Sequence, residues 1–154
     1  MFTDDTSVIP VEVLVSCSPD NPLPCYVVGM FDDTNNINRL GYVYYFDNRK
    51  SFSKGYFMEG TDRIFTTSEK NPYNEYYFLV GGNVSFRPHN QVLGRLRFQV
   101  GSTEGNKPIY IGTFKAGGEE LCGPVINGVC YSNNLGSIRC SQKQEYKILG
   151  LNEG

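Results

Sequence analysis

The sequence has no tryptophan, one histidine, one alanine (Ala116) and no apolar run near the length of a membrane span. Each scarcity closes a class of function. A spanning helix needs about 20 consecutive apolar residues, so no transmembrane segment is expected. With His89 as the sole histidine, a multi-histidine metal site is excluded, and any Ser-His-Asp or Cys-His arrangement would have to use that residue. His89 lies in Arg87-Pro88-His89-Asn90 with no Gly-x-Ser-x-Gly elbow nearby, and it reads as a solvated loop side chain. No Gly-x-x-x-x-Gly-Lys-Ser/Thr occurs, so Gly81-Gly82 and Gly117-Gly118 read as turns rather than phosphate loops. No Cys-x-x-Cys occurs either, which removes thioredoxin-like redox chemistry and weakens a zinc reading. The neighbouring acids Asp4-Asp5, Asp32-Asp33 and Glu119-Glu120 stand in polar turns and read as solvation, not as a glycosidase pair. The chain is expected to be no enzyme and to carry no metal or cofactor.

Charge and cysteine add further bounds. A formal charge of −2 and a pI near 5.4 give no basic footprint for nucleic acid. The start Met1-Phe2-Thr3-Asp4-Asp5 is acidic and has no apolar h-region. A cytoplasmic or non-classically secreted protein is expected, or a secreted one if the chain is in mature form. Five cysteines (17, 25, 122, 130, 140) leave at least one unpaired within the chain. Cys17 and Cys25 flank a loop with three prolines and are placed to bridge two hairpin strands; the alternative is five buried thiols acting as small hydrophobes. Asn83-Val84-Ser85 is a glycosylation sequon only in a secreted protein.

What is present favours strands. Eleven Tyr, ten Phe and many Val and Ile suit a pleated surface, and seventeen Gly with so little Ala argue against long helices. At 154 residues the chain is long enough for a core without staples. Strands are predicted over 11–15, 25–31, 40–46, 56–58, 63–67, 75–80, 83–86, 91–93, 95–100, 108–114, 125–131, 137–140 and 145–149. In 95–100, Arg95, Arg97 and Gln99 alternate with Leu96, Phe98 and Val100, the period of a strand with one wet face.

The chain also repeats itself. Val27-Val28-Gly29-Met30-Phe31 reads like Tyr110-Ile111-Gly112-Thr113-Phe114, Leu40-Gly41-Tyr42-Val43 like Cys122-Gly123-Pro124-Val125, and Glu75-Tyr76-Tyr77-Phe78-Leu79 like Glu145-Tyr146-Lys147-Ile148-Leu149. Three collinear matches imply two copies of one supersecondary unit, each burying apolar surface against the other. The expected fold is all-β, with two pseudo-symmetric tandem β units, residues 1–80 and 81–154, forming a compact β-sandwich or barrel-like domain.

The order of these motifs resembles the DM-nine repeat family, small tandem β domains. Its members show a Tyr-Val-Gly-Arg-type strand, a Pro-Gly-Lys-Val-type turn and a closing Tyr-Glu-Val-Leu-type strand. The second copy is the better match, through Ile109-Tyr110-Ile111-Gly112, Cys122-Gly123-Pro124-Val125 and Glu145-Tyr146-Lys147-Ile148-Leu149, with Val92-Leu93-Gly94 ahead of them. The first matches through Tyr26-Val27-Val28-Gly29, Leu40-Gly41-Tyr42-Val43 and Tyr76-Tyr77-Phe78-Leu79. The family includes mannose-binding lectins of invertebrate innate immunity and modules of natterin-like, pore-forming toxins, so the resemblance implies sugar recognition without catalysis. The family's acidic residue maps to Asp20 and Glu104. Its lysine position is held by Tyr42 and Pro124, its arginine by Met30 and Thr113, and its tryptophan is absent.

Two functional readings follow. The first is a lectin-like module with a site altered from the mannose-binding pattern, using Asp20, Tyr42, Asp32, Asn35, Glu104 and Glu119 on a glycan. Planar acceptors beside an exposed tyrosine are what a hydroxyl-rich ligand requires. The second is a structural or assembly protein that keeps the scaffold and has lost the sugar site. In that case Tyr42, Tyr44, Tyr45, Tyr73, Tyr76 and Tyr77 are packing or interface, and the odd cysteine is a link between chains. Either reading expects a homodimer or higher homo-oligomer, since shallow sites gain avidity by multiplication.

Overall fold

The computed structural model describes residues 2–3, 12–15, 24–32, 34, 36–46, 51–69, 76–79, 83–116 and 119–152. Within them the protein is all-β, two sheets packed face to face. The first sheet takes β1 (Phe2–Thr3), β2 (Glu12–Val15), β3 (Pro24–Phe31), β4 (Ile37–Phe46), β5 (Ser51–Phe52), β6 (Lys54–Glu59), β7 (Arg63–Glu69) and β8 (Tyr77–Leu79). The second takes β9 (Val84–Pro88), β10 (Gln99–Ser102), β11 (Pro108–Ala116), β12 (Glu119–Ile126), β13 (Val129–Asn134), β14 (Ser137–Cys140) and β15 (Lys147–Leu151). Their strand orders are β1-β8-β3-β4-β6-β7 and β9-β15-β11-β12-β13-β14, with β2 flanking β3 in one and β10 flanking β11 in the other. The order is the same in both. Among the described residues β5 is the one addition, and it pairs with β4 in the first sheet.

Register refines the sequence matches. Leu40, beside Gly41, pairs with Gly29, whereas its counterpart Cys122 pairs with Thr113. Tyr77 likewise opposes Gly29, and Lys147 opposes Thr113. The structural partner of Gly112 is therefore Val28, one residue away from the match that the letters suggest. The shift has a physical basis, because a one-residue slip turns every side chain to the other face. In the observed register Val27 and Ile111 both enter the core between the sheets.

Alternation along the strands builds three cores. Val27, Leu40, Tyr42 and Leu79 from the first sheet meet Ile109, Ile111, Cys122, Ile126 and Leu149 from the second. Neighbours in sequence point the other way. Val28, Val43, Phe57, Tyr76 and Phe78 form a core on the far face of the first sheet. Phe114, Leu121, Val125, Cys130, Tyr146 and Ile148 do so on the far face of the second. Cys122 and Cys130 are free buried thiols and Cys140 is free and exposed. Cys17 and the side chain of Cys25 lie outside the described residues, as do Tyr73 and Gly81-Gly82.

Four stretches differ from the sequence expectation, and the first is 119–124, where no strand is predicted but β12 runs. Residues 91–100 are not two strands: 3-10 turns span His89–Gln91 and Gly94–Leu96, Arg97 makes a single antiparallel bridge to Gly150, and β10 begins at Gln99. Arg97, expected on a wet face, instead donates to the carbonyls of His89 (2.9 Å) and Val92 (3.3 Å) and ties the two turns together. Residues 125–131 are a hairpin rather than one strand. Asn127 and Gly128 turn it with φ of 54° and 79°, the doubly positive pattern of a two-residue turn that follows strand twist. Finally, His89 is half-buried, with its ring 5.2 Å from that of Tyr146, and is not simply solvated.

Gly41 and Gly123 occupy equivalent places, and a Cβ on either would overlap the carbonyl oxygen of the adjacent strand, at Tyr56 and Tyr131 respectively. Gly41→Ala and Gly123→Ala are each expected to cost on the order of 1–3 kcal/mol or more, because backbone must move to make room. Denaturant melts check this; a loss within the ordinary range of surface substitutions at either site would show that the strands separate easily. Separate expression of residues 1–80 and 83–154 should give two poorly folded fragments. Each is small for a lone core and each would expose its half of the central one. Cooperative melting of either fragment at the full-length temperature would refute a shared core.

Candidate functional site

Four turns meet at one end of the sandwich and enclose an open groove of about 830 Å³. The first sheet contributes the β3–β4 turn, with Asp32, Thr34 and Asn36, and the β6–β7 turn, with Glu59 to Arg63. The second contributes the β10–β11 turn, Ser102 to Lys107, and the tip of the β12–β13 hairpin, with Ile126 and Asn127. Side-chain carboxylates, carboxamides and hydroxyls supply most of the wall, and among the described residues no aromatic ring lines it.

Local hydrogen bonds hold these turns in shape. The Oδ1 of Asp32 accepts from the Thr34 amide (2.8 Å), the Thr34 hydroxyl (2.7 Å) and the Asn36 amide (3.0 Å). The Asp32 amide closes the loop on the Asn36 carbonyl at 2.8 Å. Asn36 then reaches the other sheet. Its Nδ2 donates to the Ser102 carbonyl (2.8 Å), and its Oδ1 accepts from the Ser102 amide (2.9 Å). One side chain thereby imitates a strand neighbour and docks the first sheet's turn on β10. Gly101 permits that approach, since a Cβ there would overlap the Ile37 carbonyl. Across the groove, the Thr103 hydroxyl accepts from the Lys107 amide at 3.1 Å and fixes the second sheet's turn.

The expected site residues fall into three groups. Asp32 and Glu104, drawn from opposite halves of the chain, line the same groove. Asp20 and Asn35 lie outside the described residues, as does the side chain of Glu119. Tyr42 requires a correction. It is 2% exposed, its ring stacks on Tyr56 with centroids 5.5 Å apart, and its hydroxyl donates to the Asn133 carbonyl at 2.7 Å. Strand alternation turns it into the central core, so it offers no open face to a ligand. The other groove residues, Thr61, Asp62, Arg63, Asn106, Lys107 and Asn127, were not among the expected ones. Their shared signal is position in a turn between strands, which does not say which turns meet. Among the described residues no group of three or more His, Cys, Asp or Glu is placed to hold a metal ion. None of the helices there is long and apolar enough to cross a membrane.

No family model and no curated protein matches the chain. Among solved structures it is similar to the nematode sperm cell motility protein MFP2B, with a TM-score of 0.69 over the whole chain at 12% identity. The match covers 45% of that protein, so this chain spans under half of its length. At such identity the likeness is one of fold, and it carries the two-sheet architecture only.

Donation from the Thr34 hydroxyl, and then from the Asn36 and Thr34 amides, holds the Asp32 carboxyl below its ordinary value of 3.8. A lowered carboxylate contributes order that is full above the ordinary value and is lost as pH falls through the folded one. Carboxyl-carbon titration of Asp32 should give a midpoint below 3.8, with the Thr34 and Asn36 amide shifts moving in the same step. A midpoint at or above the ordinary value would show that the loop does not hold in solution.

Proposed function

We propose that the chain is a non-catalytic structural or assembly protein that meets a macromolecular partner at the groove between its two sheets, on a DM-nine-like scaffold whose sugar site is lost. The observation that carries this reading is the burial of Tyr42. That residue stands where the family's sugar-gripping lysine would be, and its ring and hydroxyl are both committed to the core. Its counterpart Pro124 has no side-chain donor at all. Among the described residues the groove has no aromatic face on which a sugar ring could stack.

Carbohydrate binding is the second reading. It is favoured by the convergence of Asp32 and Glu104 on one polar groove, where carboxylates and carboxamides can accept from sugar hydroxyls. A glycan array followed by calorimetry separates the two. The assembly reading expects no glycan to bind at millimolar concentration. If one binds, and Asp32→Asn and Glu104→Gln each weaken it by about 1.5–3 kcal/mol, as loss of a charge-assisted acceptor does, the lectin reading replaces it.

A further inference from the structure

One wall of the groove already holds a peptide group. The Asn36 carboxamide takes both polar groups of a single residue, donating to the Ser102 carbonyl at 2.8 Å and accepting from the Ser102 amide at 2.9 Å. Opposed residues of an antiparallel pair exchange bonds in the same way, because an extended residue presents its N–H and C=O to one side. A helical residue sends them in opposite directions along the axis. Ser102 meets that condition as the last residue of β10. Such a clasp selects main-chain conformation and is blind to the side chain it holds.

Three further carboxamides line the same groove, those of Asn38, Asn106 and Asn127. Among the described residues none of the three has a side-chain hydrogen bond. They come from separate elements: Asn38 is the second residue of β4, Asn106 lies in the β10–β11 turn, and Asn127 is at the tip of the β12–β13 hairpin. Asn106 and Asn127 have φ of 61° and 54°, a conformation that favours asparagine for its backbone alone. Glycine satisfies that need equally, without a carboxamide. Ile109 and Ile126, both buried in the central core, also line the groove and give it an apolar floor. Main-chain bonds at the sides and apolar contact for alternate side chains are the two means by which proteins hold an added strand.

From this arrangement we infer that the partner in the groove is an extended polypeptide segment, held by its main chain. Asn38, Asn106 and Asn127 clasp its peptide groups as Asn36 clasps Ser102. The inference rests on the assembly reading and specifies its partner. A sugar hydroxyl is a single rotatable group, whereas a carboxamide is a fixed donor and acceptor side by side, the pattern that a peptide unit complements. Charge has little part in the contact. Glu59 is engaged by Arg39 at 3.5 Å, and Arg63 and Lys107 stand among the remaining acids Asp32, Asp62 and Glu104.

The test is a titration of the full chain, followed by nuclear magnetic resonance of the asparagine side-chain amides. The probe is a capped peptide of alternating Thr and Ser, neutral and prone to extension, together with a twin in which every amide is N-methylated. The expected result is binding at millimolar peptide that shifts the Asn38, Asn106 and Asn127 amide signals and is absent with the twin. Affinity should hold between about 0.1 M and about 1 M salt, as the Debye length falls from about 10 Å to about 3 Å. Asn38→Ala, Asn106→Gly and Asn127→Gly should each weaken binding by about two- to tenfold, the range of one neutral hydrogen bond, with melts confirming the fold. The two glycine variants keep the turn and remove only the carboxamide. No shift at millimolar peptide, a methylated twin that binds as well, affinity that collapses in salt, or variants without effect would each overturn the main-chain clasp. If the peptide fails and no glycan binds either, the assembly reading stands with a partner of another kind. A bound glycan removes the assembly reading itself.

Discussion

The contact on which the rest depends is a buried one between Tyr42 and Asn133. The Tyr42 hydroxyl donates to the Asn133 carbonyl, and the Asn133 carboxamide reaches back to the Phe57 carbonyl (3.3 Å) and the Thr66 hydroxyl (3.1 Å). Its Oδ1 accepts from the Gly136 amide at 2.8 Å, which also braces the β13–β14 hairpin. Asn133 is 1% exposed, so each of these bonds replaces water that cannot enter. An apolar interface alone tolerates sliding; a satisfied buried carboxamide with partners on two sheets does not, because any slip leaves donors unpaired. At the groove end Asn36 plays a similar part toward Ser102. Two asparagines thus fix how the sheets sit, and that fixes which turns converge.

Around this link the two sheets are alike in order but unequal in filling. Tyr56 and Tyr131 follow the same register, each at the strand whose carbonyl faces the paired glycine. The next position is Phe57 in the first sheet and Ser132 in the second. Phe57 completes an aromatic far-face core with Phe65, Tyr76 and Phe78. Ser132 is fully buried, with a hydroxyl that finds no partner among the described residues. The second sheet's far core relies instead on aliphatic residues, Phe114 and Tyr146. Tyr76 and Tyr146, at matching places, both have phenols pushed up by burial. The tyrosines Tyr42 and Tyr76 are therefore spent on the interior.

Much of this fold was legible from residue letters because strand chemistry is local. Aromatic and β-branched runs marked β3, β4, β11 and β15 to within a few residues, and a composition rich in Tyr and Phe and poor in Ala pointed to the all-β class. The failures are also local in cause. At 95–100 a period-two pattern pointed to a strand, but backbone bonds from Leu96 to Leu93 and from Arg97 to Gly94 won, helped by the Arg97 side chain. At 125–131 the Asn-Gly pair, itself a strong hairpin signal, lay inside an apolar run that masked it. The site was harder. Asp32 and Glu104 could be picked out as acids in turns, but Tyr42 could not be placed without knowing which face of β4 meets the other sheet.

That last difficulty explains why the groove has no sequence signature. Its walls come from four turns separated by up to about 90 residues, and none is shaped for a ligand by its own motif. The Asp32 loop is closed by its own Thr34 and Asn36, and the 103–107 turn by Thr103. Each closes on its own residues, and Asn36 then ties the first turn to Ser102 of the other sheet. Side chains on such turns are released from the packing constraints that hold Tyr42 and Asn133, so their charge can drift without cost to the fold.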